Sequence, residues 1–313
     1  MEIASGLTDF QNRVHLDRIS KSVRDLRSTD INTRHFVGQM MSLSTLLESF
    51  DRKLDRSFSV IDKNSQDPTY FIAAYFDTRN VSKAVLVYRI VRSLTRIILL
   101  SDKFYETGNK KYSLLAKQVQ ESLYEFLRSK PKLRNLIYSI EYWLEQFSAF
   151  WQFERCIRHR MIRNSTFSFN EIRHFNLSKS SDALLVYSKV LDAMLPNFNE
   201  NVALLLHYNQ ALLDILDDWE DIEDDVEEDM PNTFILAAVG NIPYGKIKKS
   251  SQDIIREVVL NGANSSKGPI SRLINELQTS SKNVSIPANF AFLKSLSDRY
   301  ADTLRRTVSL PNS

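Results

Sequence analysis

Glycine and proline are scarce in this chain, with 7 and 8 among 313 residues; average usage would be about 12% for the two together. No glycine falls between Gly38 and Gly108, or between Gly108 and Gly240. Glycine supplies the positive-φ turns that hairpins and phosphate loops need, so these gaps argue against an all-β or a doubly wound α/β fold. There is one cysteine, Cys156. A disulfide within the chain is therefore impossible, and a Cys-rich zinc site is excluded. The first twenty residues contain no basic-then-apolar signal segment. No window approaches the ~20 apolar residues needed to span a bilayer, so the expectation is a soluble, cytoplasmic protein without a transmembrane segment.

What is present is helical periodicity nearly everywhere. Apolar residues recur at helical spacing over 8–26 and 33–56, whereas 57–69 has turn chemistry. Asn80 is a good N-cap for a long helix reaching about Glu106. The middle of that helix is apolar nearly all round, which predicts burial on most sides, and Gly108 ends it. Further helices are expected over 110–129, 132–163, 182–195, 199–228, 233–240, 248–260, 267–279 and 287–308. Long apolar helices, short connections and no domain-splitting linker predict a single all-α domain, an antiparallel bundle.

Charge is unevenly spread. The formal net charge is +3, but residues 214–229, DILDDWEDIEDDVEED, hold eleven acids and no base. The other 297 residues carry 41 basic against 27 acidic groups, a net of +14. Asp214, Asp217, Asp218, Asp221 and Asp225 follow helical spacing and share a face. Leu212, Ile215, Leu216, Trp219, Ile222 and Val226 form an apolar face on the same turns, so the acids lie beside packed surface. Like charges one turn apart oppose the helix, and acids at a helix C-terminus oppose its dipole. Divalent cations offset such costs, and Mg²⁺ accepts one or two carboxylates together with water and phosphate oxygens. A solvated acidic helix end with no ligand is the alternative. An EF-hand is excluded because the glycine at loop position six is missing.

Asp217-Asp218-Trp219-Glu220-Asp221 is a DDxxD late in a long helix, followed by Pro231-Asn232-Thr233 and an apolar run. It resembles an aspartate-rich motif of the class I isoprenoid synthases, a family of all-α bundles around a deep apolar cavity. The resemblance implies Mg²⁺, three ions per site, held on the diphosphate of a prenyl diphosphate. Loss of that diphosphate would leave an allylic carbocation. It implies Asp217, Asp218 and Asp221 as catalytic metal ligands, with Asp214 or Asp225 assisting. A second acidic motif is expected on a facing helix, and Asp102 and Glu106, at i and i+4, match it best. A serine and a lysine stand there in place of two of the family's acids.

A departing diphosphate needs a basic clamp, since guanidinium binds phosphate oxygens bidentately; Arg155, Arg158 and Arg163 are the candidates. Arg299-Tyr300 resembles the Arg-Tyr pair that many terpene cyclases close over the diphosphate. Arg89, Arg92 and Arg96 interrupt the central apolar helix, and a buried arginine needs an anionic partner. Tyr142, Trp143, Phe147, Phe150 and Trp151 line one side of a helix, and aromatic faces stabilise cations; a plain core stripe is the other reading. The N-terminal helices lack the Gly-Lys-x-x-Arg element of chain-elongating relatives, which leaves cyclisation or head-to-head condensation.

Gly240 to Lys246 mimics a phosphate loop, but Ile247 replaces the Ser or Thr that holds Mg²⁺ and Pro243 removes a backbone donor. HExxH, GxSxG and GxGxxG are absent, the five histidines have no ligand spacing, and no nucleic-acid motif accompanies the basic pI. Two other readings stay open. One is a catalytically degenerate relative that binds an isoprenoid or a protein. The other is a helical scaffold with an acidic docking face. The sequence is also compatible with a homodimer.

Overall fold

The computed structural model describes residues 81–181, 188–190, 193, 198–250, 252–263, 268–287 and 291–308. The segments read above over 8–26, 33–56 and 57–69 lie outside the described residues, as does most of 182–195. The described residues are mostly helical, with no strand among them, so the described part of the chain is all-α. They fall into two compact units. The first takes in described residues up to Ile140 and within Lys189–Phe198. The second comprises Glu141–Ser188 and the described chain from Asn199 onward.

In the first unit, α1 (Val81–Thr107) and α2 (Lys110–Arg128) pack against each other. Between Val87 and Asp102 only Arg89 is largely exposed among the side chains described, as the apolar run predicts. Arg89 needs no buried anion: its guanidinium lies 4.0 Å above the Phe126 ring, a cation–π contact. Gly108 ends α1 with φ +66° and its amide bonds the Phe104 carbonyl at 2.8 Å, the left-handed stop that favours glycine. Asn109 then caps α2 by accepting from the Lys111 amide. A 3₁₀ turn at Pro131–Leu133 leads into α3, Leu136–Ile162, which begins slightly later than Pro131 alone suggests.

The second unit holds most of α3, then α4 (Phe169–Lys179), α5 (Glu200–Glu220), α6 (Ile222–Glu227), α7 (Thr233–Val239), α8 (Tyr244–Lys248), α9 (Gln252–Ala263), α10 (Pro269–Asn283) and α11 (Ala291–Val308). Helix α5 packs against α4, α7, α10 and α11 and is buried at most positions from Val202 to Leu216. All seven residues of α7 are buried. A Cβ placed on Gly262 would come within 2.9 Å of Ala238 Cβ, so α7 and α9 approach as closely as a glycine allows.

Two features depart from the sequence reading. Helix α4 was not anticipated, although its signal is present. Ser168 and Glu171 form a reciprocal capping box, the S-x-x-E pattern that starts helices. The helix expected over 199–228 is interrupted at Asp221, which separates α5 from α6. In an unbroken helix the Asp218 carbonyl would accept the Ile222 amide. Here the side-chain amide of Asn232 donates to that carbonyl instead.

Candidate functional site

The acidic segment lies wholly in the second unit, and its carboxylates divide into two rows. The inner row is Asp214 and Asp218, one turn apart and both buried. Asp214 accepts from Ser180 Oγ and, at 2.8 Å, from Gln210 Nε2. Asp218 accepts from Lys179 Nζ at 2.6 Å on one oxygen and from the Thr233 amide at 2.8 Å on the other. Both oxygens of both carboxylates are therefore engaged. Lys179 and Ser180 end α4, so the helix that sequence reading overlooked supplies the cation. Burial opposes the charge on Lys179, yet Asp218 and Asp214 outweigh it and hold its pKa above the ordinary lysine range. Burial pushes the Asp214 carboxyl up, against the pull of Lys179 and Ser180.

The outer row is Asp217, Asp221 and Asp225. Asp217 and Asp225 are half-buried and Asp221 is exposed. Asn232 Nδ2 donates to Asp225 Oδ2 at 2.7 Å, while its Oδ1 caps α7 by accepting from Phe234 and Ile235. One buried asparagine thus ties the turn at Asp221, the outer row and the start of α7. Burial, then the charge of Asp218, raises Asp225 to about 7. The Thr233 hydroxyl, beside this junction, is buried without a hydrogen-bond partner.

The segment's other charges are met from elsewhere in the same unit. Arg256 of α9 bonds Glu223 through two nitrogens, at 2.6 and 2.8 Å, and the Glu220 carbonyl at 2.7 Å. Its guanidinium also lies 5.4 Å from the Trp219 ring centre. Lys248 of α8 pairs with Asp229, to which Tyr244 OH also donates at 2.9 Å. Arg158 of α3 donates to the Glu228 carbonyl at 2.6 Å, where the last carbonyls of α6 attract a cation. Much of the charge cost that suggested metal ions is thus offset by Lys179, Arg158, Lys248 and Arg256. None of the four is near the segment's middle in sequence, which is why composition alone could not reveal them.

The remaining candidates scatter more widely. Asp102 and Glu106 lie near the end of α1 in the first unit, and Glu106 pairs with Lys103 at 2.7 Å. Arg155 and Arg163 are exposed, and Arg299 and Tyr300 are half-buried on α11. Tyr300 packs against the core of the second unit. Trp143, Phe147 and Trp151 are buried at i, i+4 and i+8, and Phe147 and Trp151 are in ring contact. Phe150 is half-buried against Phe175, 6.5 Å between ring centres. Tyr142 does not join this stripe. It is 59% exposed, because the residue before Trp143 is turned about 100° away from it around the helix.

Chemically, the inner row is a closed hydrogen-bonded lock and the outer row is the accessible part. Among the described residues, no three carboxylate, imidazole or thiolate groups converge to hold a metal ion by themselves. No protein-family model, no curated protein and no solved structure matches this chain.

Proposed function

We propose that the chain is a class I isoprenoid synthase-type protein acting on a prenyl diphosphate, with the outer carboxylate row as its Mg²⁺–diphosphate site. The observation that carries this reading is the imbalance of charge around Lys179. One ammonium stands among Asp214, Asp218 and Asp225, and the Asp225 carboxyl is held at about 7. Groups perturbed in this way cluster at functional sites, and a divalent cation would relieve them.

The donors fit Mg²⁺ only in part. Asp221 and Asp225, one turn apart, suit an ion that takes one or two carboxylates and fills its shell with water and phosphate oxygens. Asp214 and Asp218 do not suit it, because their oxygens already serve Ser180, Gln210, Lys179 and Thr233. A full three-ion cluster on all five aspartates is therefore no part of the proposal. Bound there, Mg²⁺ would neutralise charge on a departing diphosphate. The chain's own contribution is to orient Asp225 through Asn232 and to hold a positive charge at Lys179.

The test is release of diphosphate from geranyl, farnesyl and geranylgeranyl diphosphate by the full chain, with and without Mg²⁺. Turnover is expected only with the metal and is lost in Asp221→Ala, whose exposed side chain leaves the fold intact. No release from any of the three substrates would sink the enzymatic reading. A second reading is favoured by the Lys179–Asp218 pair. In it the ammonium replaces the cation and the segment is a non-catalytic charge hub. In that case Mg²⁺ with inorganic diphosphate leaves the melting temperature of the protein unchanged.

A further inference from the structure

We infer that the turn at residues 128–134 of the first unit is a docking surface for the headgroups of an anionic phospholipid bilayer. This inference does not depend on the function proposed above. Four of these seven residues are basic (Arg128, Lys130, Lys132 and Arg134), and no acid occurs from 126 to 140. All four are exposed. Among the described residues no carboxylate forms an ion pair with any of them. This differs from the second unit, where the basic side chains around the acidic segment are paired.

The turn is also built rather than loose. Leu127, Leu133, Leu136 and Ile140 are buried and anchor it from below. The Lys130 amide bonds the Leu127 carbonyl at 3.0 Å, and the Leu133 amide bonds the Lys130 carbonyl at 2.8 Å. Arg134 Nε donates to the Arg128 carbonyl at 3.0 Å, closing the loop on itself. Pro131 fixes one backbone angle at the first position of the 3₁₀ turn. Beside the four cations, on the first turn of α3, Tyr138 is 74% exposed. A tyrosine has an apolar ring and a polar tip, the combination enriched where lipid meets water. Four exposed charges within seven residues of one turn suit a plane of headgroups. A nucleic acid more often takes a longer track of phosphate contacts.

The experiment is co-sedimentation of the full chain with vesicles of equal parts phosphatidylcholine and phosphatidylserine, at low and high salt. Phosphatidylcholine vesicles and a single-stranded RNA oligonucleotide serve as comparison arms. Binding is expected to the mixed vesicles, to weaken with salt, and to be absent with phosphatidylcholine alone. Each basic residue near an anionic membrane contributes roughly fivefold in affinity (about 1 kcal/mol), so Lys130→Ala/Lys132→Ala should weaken binding on the order of 25-fold. Those side chains are exposed, so the thermal melt of the variant should match the parent. Tyr138→Ser should weaken vesicle binding without altering its salt dependence. The proposal is overturned by no binding to the mixed vesicles, by equal binding to both lipids, or by an unchanged affinity in the double variant. RNA binding tighter than vesicle binding and lost in the double variant would also overturn it, in favour of a nucleic-acid surface.

Discussion

Lys179 is a single ammonium with Asp214, Asp218 and Asp225 within reach of its charge. Its partner Asp218 is 1% exposed, while its own side chain is 35% exposed. Removing the cation leaves a buried carboxylate uncompensated. We expect Lys179→Ala to cost on the order of 3 kcal/mol, the low end for a broken buried pair because the lysine is partly solvated; urea unfolding measures it. Removing both charges, as Lys179→Met/Asp218→Leu, should recover part of that loss. It should not recover all of it, because Asp218 also holds the Thr233 amide. Equal costs for the single and double variants would show that packing, not charge, decides this position. None of this was legible locally: Lys179 is one lysine among many, and only the tertiary fold brings it to a residue 39 positions away.

At the level of elements, boundaries set by backbone chemistry were legible. Gly108 and Pro131 mark the end of α1 and the turn before α3 because a left-handed stop or a fixed backbone angle acts within one turn of chain, while the cap read at Asn80 lies outside the described residues. Gly108 has open space around the position of a Cβ. Gly108→Ala should therefore cost only the backbone penalty, about 1 kcal/mol, read as a lowered urea midpoint. Gly262→Ala should cost more, about 1–3 kcal/mol for overpacking, since its Cβ would meet Ala238. A milder effect at Gly262 than at Gly108 would contradict the close approach of α7 and α9. Helix α4 was missed because its mean apolar character is weak while its capping box is strong. Ser168→Ala should cost about 1 kcal/mol, checked by the same measurement. The break at Asp221 could not be read from 199–228, because Asn232, which bonds the Asp218 carbonyl there, lies beyond the helix.

For the whole molecule, the raised Asp225 carboxyl adds a share of stability that falls as pH rises, whereas His207, lowered by burial, adds a share that rises with pH below its ordinary value of 6.5. Asp225 moves from an ordinary value of 3.8 to about 7 in the fold. Between those values the folded state holds a proton that the unfolded chain has released, so stability declines as pH rises through that window. Below about pH 4 both states are protonated and the penalty vanishes. Thermal melts across this range of the parent and of Asp225→Asn, which keeps an acceptor for Asn232, should show that decline as the difference between their two profiles. An unchanged pH profile in that variant would remove Asp225 as its source. Mg²⁺ bound at the outer row would flatten the same profile in the parent protein, which links this measurement to the proposed function.

Composition and periodicity by themselves pointed to the all-α class that the described residues show. Scarce glycine leaves few left-handed turns, and helical spacing repeats within a turn or two, so both are properties of neighbouring residues. They also located the eleven acids of 214–229 and the apolar face that binds them to the core. Only the tertiary structure decided how those acids are used. Hydrogen-bond partners and desolvation come from side chains distant in sequence. Lys179, Ser180 and Thr233 lock Asp214 and Asp218 inward, while Asp221 is exposed and Asp225 half-buried. A uniform run of carboxylates became two rows with different chemistry because burial distinguishes neighbours that composition treats alike.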